Sequence, residues 1–172
     1  GRTNGSYNYA SWNWKANGAG SSNSDGSITS TVSANTTAGF SIVKYTGTGS
    51  NATIGHGLGV APKFILVKNL TDARSWGGYH ASLGATKGID LDGNGAAGTA
   101  SSYWNDTEPT TTVFSIGTAN NTGAAQTYVA YCFAEKTGFS KFGSYIGNGN
   151  ADGVFIYTGF KPAFVVTKKA TG

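Results

Sequence analysis

One stretch of this chain is written twice, and the spacing of the copies limits what it can fold into. The first copy reads Gly39-Phe40-Ser41, then Tyr45-Thr46-Gly47-Thr48-Gly49, then Gly59-Val60-Ala61-Pro62-Lys63-Phe64-Ile65-Leu66-Val67-Lys68. The second reads Gly138-Phe139-Ser140, Tyr145-Ile146-Gly147-Asn148-Gly149, and Gly159-Phe160-Lys161-Pro162-Ala163-Phe164-Val165-Val166-Thr167-Lys168. From Tyr45 and Tyr145 onward the offset is a constant 100, with Gly47/Gly147, Gly49/Gly149, Gly59/Gly159, Pro62/Pro162, Phe64/Phe164 and Lys68/Lys168 identical. The Gly-Phe-Ser triplets stand 99 apart, so the second copy carries one extra residue before Tyr145. A fixed offset at residues that set backbone shape is the mark of a duplicated structural unit.

The pattern inside and around the copies is that of short strands. Apolar runs alternate with Gly, Asn and Ser turns, and no apolar residues recur with helical spacing over three turns. With 27 Gly the chain invites a low-complexity reading, but aromatic residues at 13% recur between the glycines and supply a core. Residues 39–46, 64–67, 112–117 and 126–134 read as strands, the second and fourth apolar on both faces and so expected to be covered on both. Residues 51–54 are a candidate return strand. In the N-terminal part, Tyr7-Asn8-Tyr9-Ala10-Ser11-Trp12-Asn13-Trp14 alternates with period two, and residues 27–33 offer a further short strand. The expected fold is an all-β, antiparallel β-sandwich or jelly-roll with a partial second copy of the repeat at its C-terminus. The expected division is a Gly/Asn/Ser-rich segment at 1–37 that ends a preceding domain or forms a linker, a sandwich unit at 38–137, and the second copy at 138–172. That copy either starts a second sandwich or supplies strands that close the first. A first residue of Gly and the absence of Met lead us to expect an internal or processed part of a longer polypeptide.

Several function classes lose ground on composition. The net charge of +4 comes from scattered residues, with only Lys168 and Lys169 adjacent, so there is no nucleic-acid stripe. No apolar run reaches the roughly 18 residues of a membrane helix. The single Cys132 lies in an apolar strand and reads as a buried thiol, which leaves no internal disulfide framework. Gly55-His56-Gly57-Leu58-Gly59 looks like a phosphate loop, but Pro62 and an apolar strand follow where a helix would be needed, so it reads as a turn. His56 and His80 have no Cys or carboxylate at ligand spacing, and no Gly-x-Ser-x-Gly elbow is present. No catalytic residues are assigned, and the expectation is a protein that is not an enzyme. One metal candidate stands out: Asp90-Leu91-Asp92-Gly93-Asn94-Gly95 opens like a calcium loop, with Asp90, Asp92 and Asn94 as ligands, although its twelfth position is Ser101 in place of Glu. The same residues make an ordinary turn, and beyond this calcium reading no cofactor is expected. The aromatics Trp12, Trp14, Trp76, Tyr79 and Trp104 are the candidate ligand-binding residues, since sugar faces stack on aromatic rings; packing in a core is the competing use of such rings.

As a set, these segments resemble a repeat domain of virion proteins of marine and cyanobacterial bacteriophages. The resemblance rests on residues 39–47 and 54–63, on Tyr79-His80-Ala81-Ser82-Leu83-Gly84-Ala85-Thr86-Lys87, on Tyr103-Trp104-Asn105, and on Tyr128-Val129-Ala130-Tyr131-Cys132-Phe133-Ala134-Glu135 running into Gly138-Phe139-Ser140. It covers residues 36–172, and Trp12-Asn13-Trp14-Lys15-Ala16-Asn17-Gly18 is similar to the segment often found before such a repeat. It implies a structural, tail-associated protein of the particle (a fibre, spike or adhesin-like appendage), often found beside concanavalin A-like lectin domains. The implied partners are other virion subunits in a homo-oligomer and host surface polysaccharide, and the implied location is the virion or the extracellular space. A purely architectural role, in capsid decoration or a filament-forming tail component, is the alternative; a bacterial surface adhesin or secreted glycan-binding module is a third reading. The Asp90 loop lies outside the shared pattern.

Overall fold

A computed structural model describes residues 5–171 of the chain. In chain order it contains β1 (Ser21–Asn23), β2 (Ser30–Asn35), β3 (Phe40–Thr46), β4 (Ala52–Gly55), β5 (Phe64–Asn69), β6 (Gly77–His80), β7 (Lys87–Asp90), β8 (Gly98–Thr99), a one-turn helix α1 (Ser101–Trp104), β9 (Val113–Ile116) and β10 (Thr127–Phe133). Eight strands form one sheet in the order β1-β2-β3-β10-β5-β6-β7-β8, and β4 pairs with β9 in a small second sheet. Every named strand pair is antiparallel. The fold is an all-β sandwich with one broad and one narrow layer.

The organising strand is β10, which lies between β3 and β5, the two long strands of the first repeat copy. Its register sets three residues abreast: Val43, Ala130 and Val67 form one row, Ser41, Cys132 and Ile65 the next, and Tyr45, Tyr128 and Asn69 the third. These rows face inward and are buried, with Ile54, Phe114 and Ile116 of the narrow sheet packed on them. Burying each such Val or Ile contributes roughly 1.5–3 kcal/mol, which makes this face the main source of stability. Tyr45 and Tyr128 stack at 5.2 Å, and their hydroxyls donate to the backbone carbonyls of Thr122 (2.6 Å) and Asn120 (3.1 Å). Buried polar tips are thus satisfied by the loop before β10.

Three sequence expectations need correction. The sheet crosses the boundary expected at residue 37, because β2 pairs with β3 along its length and Val32 joins the core opposite Val43. Residues 7–14 form no strand, although their alternation predicts one; the chain just after them is tied to β2 by Asn17 N–H to Ser33 Oγ (3.0 Å) and by Asn35 Nδ2 to the Lys15 carbonyl (3.1 Å). Strands β5 and β10 are not enclosed on both faces. Ile65, Val67 and Asn69 are buried, whereas Phe64, Leu66 and Lys68 are only half-covered. The candidate return strand at 51–54 becomes β4, paired with β9. Residues 141–171 form no strand, so the second copy adds none to the first sandwich.

Candidate functional site

The half-covered face of the eight-stranded sheet carries the residues that alternate with the core. Across β3, β10 and β5 they again stand three abreast: Phe40, Phe133 and Phe64; then Ile42, Tyr131 and Leu66; then Lys44, Val129 and Lys68. The face is therefore graded from aromatic at one end to cationic at the other. The phenylalanine row is the better covered. Phe133 lies 4.9 Å from Phe40 and 5.7 Å from Phe64, with Trp14 at 5.7 Å and Phe142 at 6.2 Å above it. At the other end, Trp76 stacks on Tyr131 at 6.3 Å with an interplanar angle of 27°. The Lys68 ammonium sits 5.9 Å from the centre of the Trp76 ring and donates to the Arg74 carbonyl at 2.5 Å. The indole is thus stacked on Tyr131 and has a cation over its ring. His80 is on the same face, 6.3 Å from Phe64, and burial lowers its pKa from the usual histidine value.

The structure divides the five candidate aromatics. Trp12 and Trp14 are 61% and 42% exposed and Trp76 is half-buried on the outer face, whereas Tyr79 and Trp104 retain 2% and 1% of their surface. Tyr79 and Trp104 are therefore withdrawn as binding residues. They pack edge to face at 5.8 Å inside the core. The Tyr79 hydroxyl donates to Glu108 Oε2, and Glu108 Oε1 accepts the Ala85 N–H at 2.7 Å. Burial, reinforced by that carboxylate, raises the Tyr79 pKa well above the usual phenol value.

The calcium-like loop turns its oxygens onto donors of this chain. Asp90 Oδ1 accepts from the Tyr103 hydroxyl and from Asn121 Nδ2, both at 3.0 Å, and Asp92 Oδ1 accepts the Trp76 N–H at 3.0 Å. Burial, followed by the Asp90 hydrogen bond, pushes the Tyr103 phenol up to about 12. The carbonyls of Gly93 and Gly95 accept from the Lys168 ammonium at 2.6 and 2.9 Å, and the Ala97 N–H donates to the Ala170 carbonyl at 3.0 Å. A positive charge does converge on the loop, but it is a lysine of the second copy. Among the described residues, no three His, Cys, Asp or Glu side chains cluster as metal ligands.

The remaining reactive groups serve the core. His56 Nδ1 accepts the Leu58 N–H and Nε2 lies 3.2 Å from the Thr110 carbonyl, an arrangement that requires a neutral ring with its proton on Nε2. Burial lowers its pKa, with the Thr110 carbonyl and the Asp25 charge opposing. Cys132 is fully buried, which pushes its thiol up to about 12, with Ser41 offsetting part of the rise. The graded outer face escaped sequence reasoning, although its signal was present: Phe40/Ile42/Lys44, Phe64/Leu66/Lys68 and Val129/Tyr131/Phe133 share one period-two pattern.

No curated protein and no solved structure matches the chain. One family model covers it almost end to end, over residues 2–172, and the chain accordingly belongs to the domain of unknown function DUF7483.

Proposed function

We propose that the protein is a non-catalytic structural and attachment module of a bacteriophage appendage, which meets surface polysaccharide with the outer face of its large sheet. The observation that carries this reading is the half-buried Trp76 ring on the outer face, stacked on Tyr131 with the Lys68 ammonium 5.9 Å from its centre. A half-exposed indole backed by a second ring offers a rigid apolar plane to a pyranose, and flanking Lys44, Lys68 and Arg74 offer charge to acidic sugars or hydroxyl groups. Trp14 extends the aromatic surface over the phenylalanine row, and Trp12 continues it through Phe164. The resemblance to virion repeat domains supplies the biological setting and an extracellular location. Binding of the chain to intact host cells, with purified surface polysaccharide as competitor, tests this. Trp76→Ala is expected to weaken saturable binding roughly tenfold, the effect of losing one good stacking contact. Binding that is unchanged by Trp76→Ala and Trp12→Ala together removes the sheet face from the attachment surface.

A purely architectural role draws on a different observation. The second copy exposes Tyr145, Val154 and Val165, whose counterparts in the first copy are core residues.

A further inference from the structure

The loop after β7 holds a dipeptide whose chemistry the fold leaves open. In an asparagine followed by glycine the side-chain amide is exposed to attack by the next backbone nitrogen, because no Cβ shields that nitrogen. The chain has four such pairs, and three lie wholly within the described residues: Asn17-Gly18, Asn94-Gly95 and Asn148-Gly149. Hydrogen bonds hold two of them. Ser33 Oγ accepts the Asn17 N–H at 3.0 Å and donates to the Gly18 carbonyl at 2.8 Å, which clamps that pair to β2. The Asn148 side chain accepts the Asn150 N–H at 3.1 Å and donates to the Asp152 carbonyl at 2.8 Å, so both ends of its amide are engaged. Attack requires the amide carbon to reach the nitrogen in line, and these contacts oppose that approach.

Asn94-Gly95 is held at neither reacting group. Both residues are exposed, and among the described residues nothing hydrogen-bonds the Asn94 side chain or the Gly95 N–H. A Cβ added at Gly95 would meet no atom within 4 Å, and its φ is not in the left-handed region, so neither packing nor the turn requires glycine there. The Lys168 ammonium binds the carbonyls on either side of Asn94, Gly93 at 2.6 Å and Gly95 at 2.9 Å. That charge favours the amide anion that attacks.

We infer that Asn94 is a self-modification site whose conversion unlocks residues 168–170 from the loop. The Gly95 nitrogen loses its proton and bonds to Asn94 Cγ, the side-chain nitrogen leaves as ammonia with a proton from solvent, and a cyclic imide closes. Water then opens the imide. Addition at the side-chain carbonyl gives aspartate. Addition at the backbone carbonyl gives isoaspartate, in which the main chain runs through the former side chain and gains a methylene. Either path consumes one water and releases one ammonia, with no oxidant or reductant. The isoaspartate acts on the tie, because the inserted methylene lies between the two carbonyls that share the Lys168 ammonium and parts them. The Ala97 N–H, which donates to the Ala170 carbonyl at 3.0 Å, loses its partner with them. The inference stands whether or not the outer face binds sugar.

Ageing the folded chain in neutral buffer made with heavy-oxygen water tests it, with peptide mapping to count the labelled aspartate and isoaspartate at each pair. Asn94 is expected to convert many-fold faster than Asn17 and Asn148. Gly95→Ala is expected to slow that conversion many-fold at an unchanged melting temperature, since the added methyl group has room. In the isoaspartate fraction, amide exchange at Ala97 is expected to quicken while that of β10 stays as in the fresh chain. Asn94→Asp, which adds the charge without the methylene, is expected to keep Ala97 protected. Equal rates at the three pairs, or earlier conversion at Asn17 or Asn148, overturn the site. An isoaspartate fraction with Ala97 as protected as before, or an Asn94→Asp chain that exchanges as fast as that fraction, overturns the unlocking.

Discussion

The same deletion made in both copies should have opposite consequences. Ile65 is fully buried, paired with Cys132 on one side and Tyr79 on the other. Truncating it to Ala removes three carbons from a packed row and leaves a cavity that flanking strands cannot fill, at a cost of about 3 kcal/mol within the 2–5 kcal/mol seen for such changes. For a domain of this size that is a fall of roughly 6–12 °C in melting temperature. Val165, its counterpart, is 67% exposed, so Val165→Ala should stay within about 0.5 kcal/mol. The assay is urea unfolding of both variants at a concentration where the chain sediments as a monomer, with the slope checked for constancy. A loss of about 2 kcal/mol or more for Val165→Ala would refute the reasoning, because it would mean that residues 138–171 already bury a core of their own. A loss under about 1 kcal/mol for Ile65→Ala would be equally damaging to the assigned inner face.

Glu108→Ala removes the acceptor of the Tyr79 hydroxyl and the Ala85 N–H, leaving buried donors unmet, and should cost about 1–3 kcal/mol in the same assay. His56 has a folded-state pKa below the 6.5 of an unperturbed ring, so as pH falls through 6.5 the unfolded chain takes up a proton that the folded one refuses. The His56 contribution is therefore present above that pH and lost below it, by at most about 1.4 kcal/mol per pH unit, until the folded ring itself protonates. His56→Gln should flatten that part of the stability curve relative to the unsubstituted chain. Lys168→Met frees the Gly93 and Gly95 carbonyls, and amide exchange at Ala97, which donates to Ala170, should quicken while that of β10 stays unchanged. Cys132 should react with a thiol reagent only at the rate of global unfolding.

Much of the sandwich was legible because its strands announce themselves locally. The apolar runs at β3, β5 and β10, the alternation at β9 and the glycines around them required nothing from the rest of the chain to be read. Where reading failed, the deciding partner was distant in sequence. The outer side of β10 is as apolar as its inner side, and only the small size of the β4–β9 layer and its placement on one face tell the two apart. Tyr79 and Trp104 cannot be separated from Trp76 by composition. What separates them is Glu108, 29 residues from Tyr79, which accepts its hydroxyl, and the core beneath α1 that takes the Trp104 ring. The Asp90 loop matched a calcium pattern by spacing alone, yet its carbonyls are taken by Lys168, a residue 75 positions from Gly93.

The repeat makes the same point most directly. Lys68 and Lys168 are identical residues at equivalent places, but one steadies Trp76 on the outer face and the other ties the C-terminal segment to the loop after β7. Equal sequence has specified equal turns, as the shared glycine conformations attest, and unequal burial, because burial of β3 and β5 depends on β10 between them and on the β4–β9 layer packed over them. Strands β9 and β10 lie far along the chain from β3 and β5, so the sequence of either copy read by itself carries the turns but not the burial.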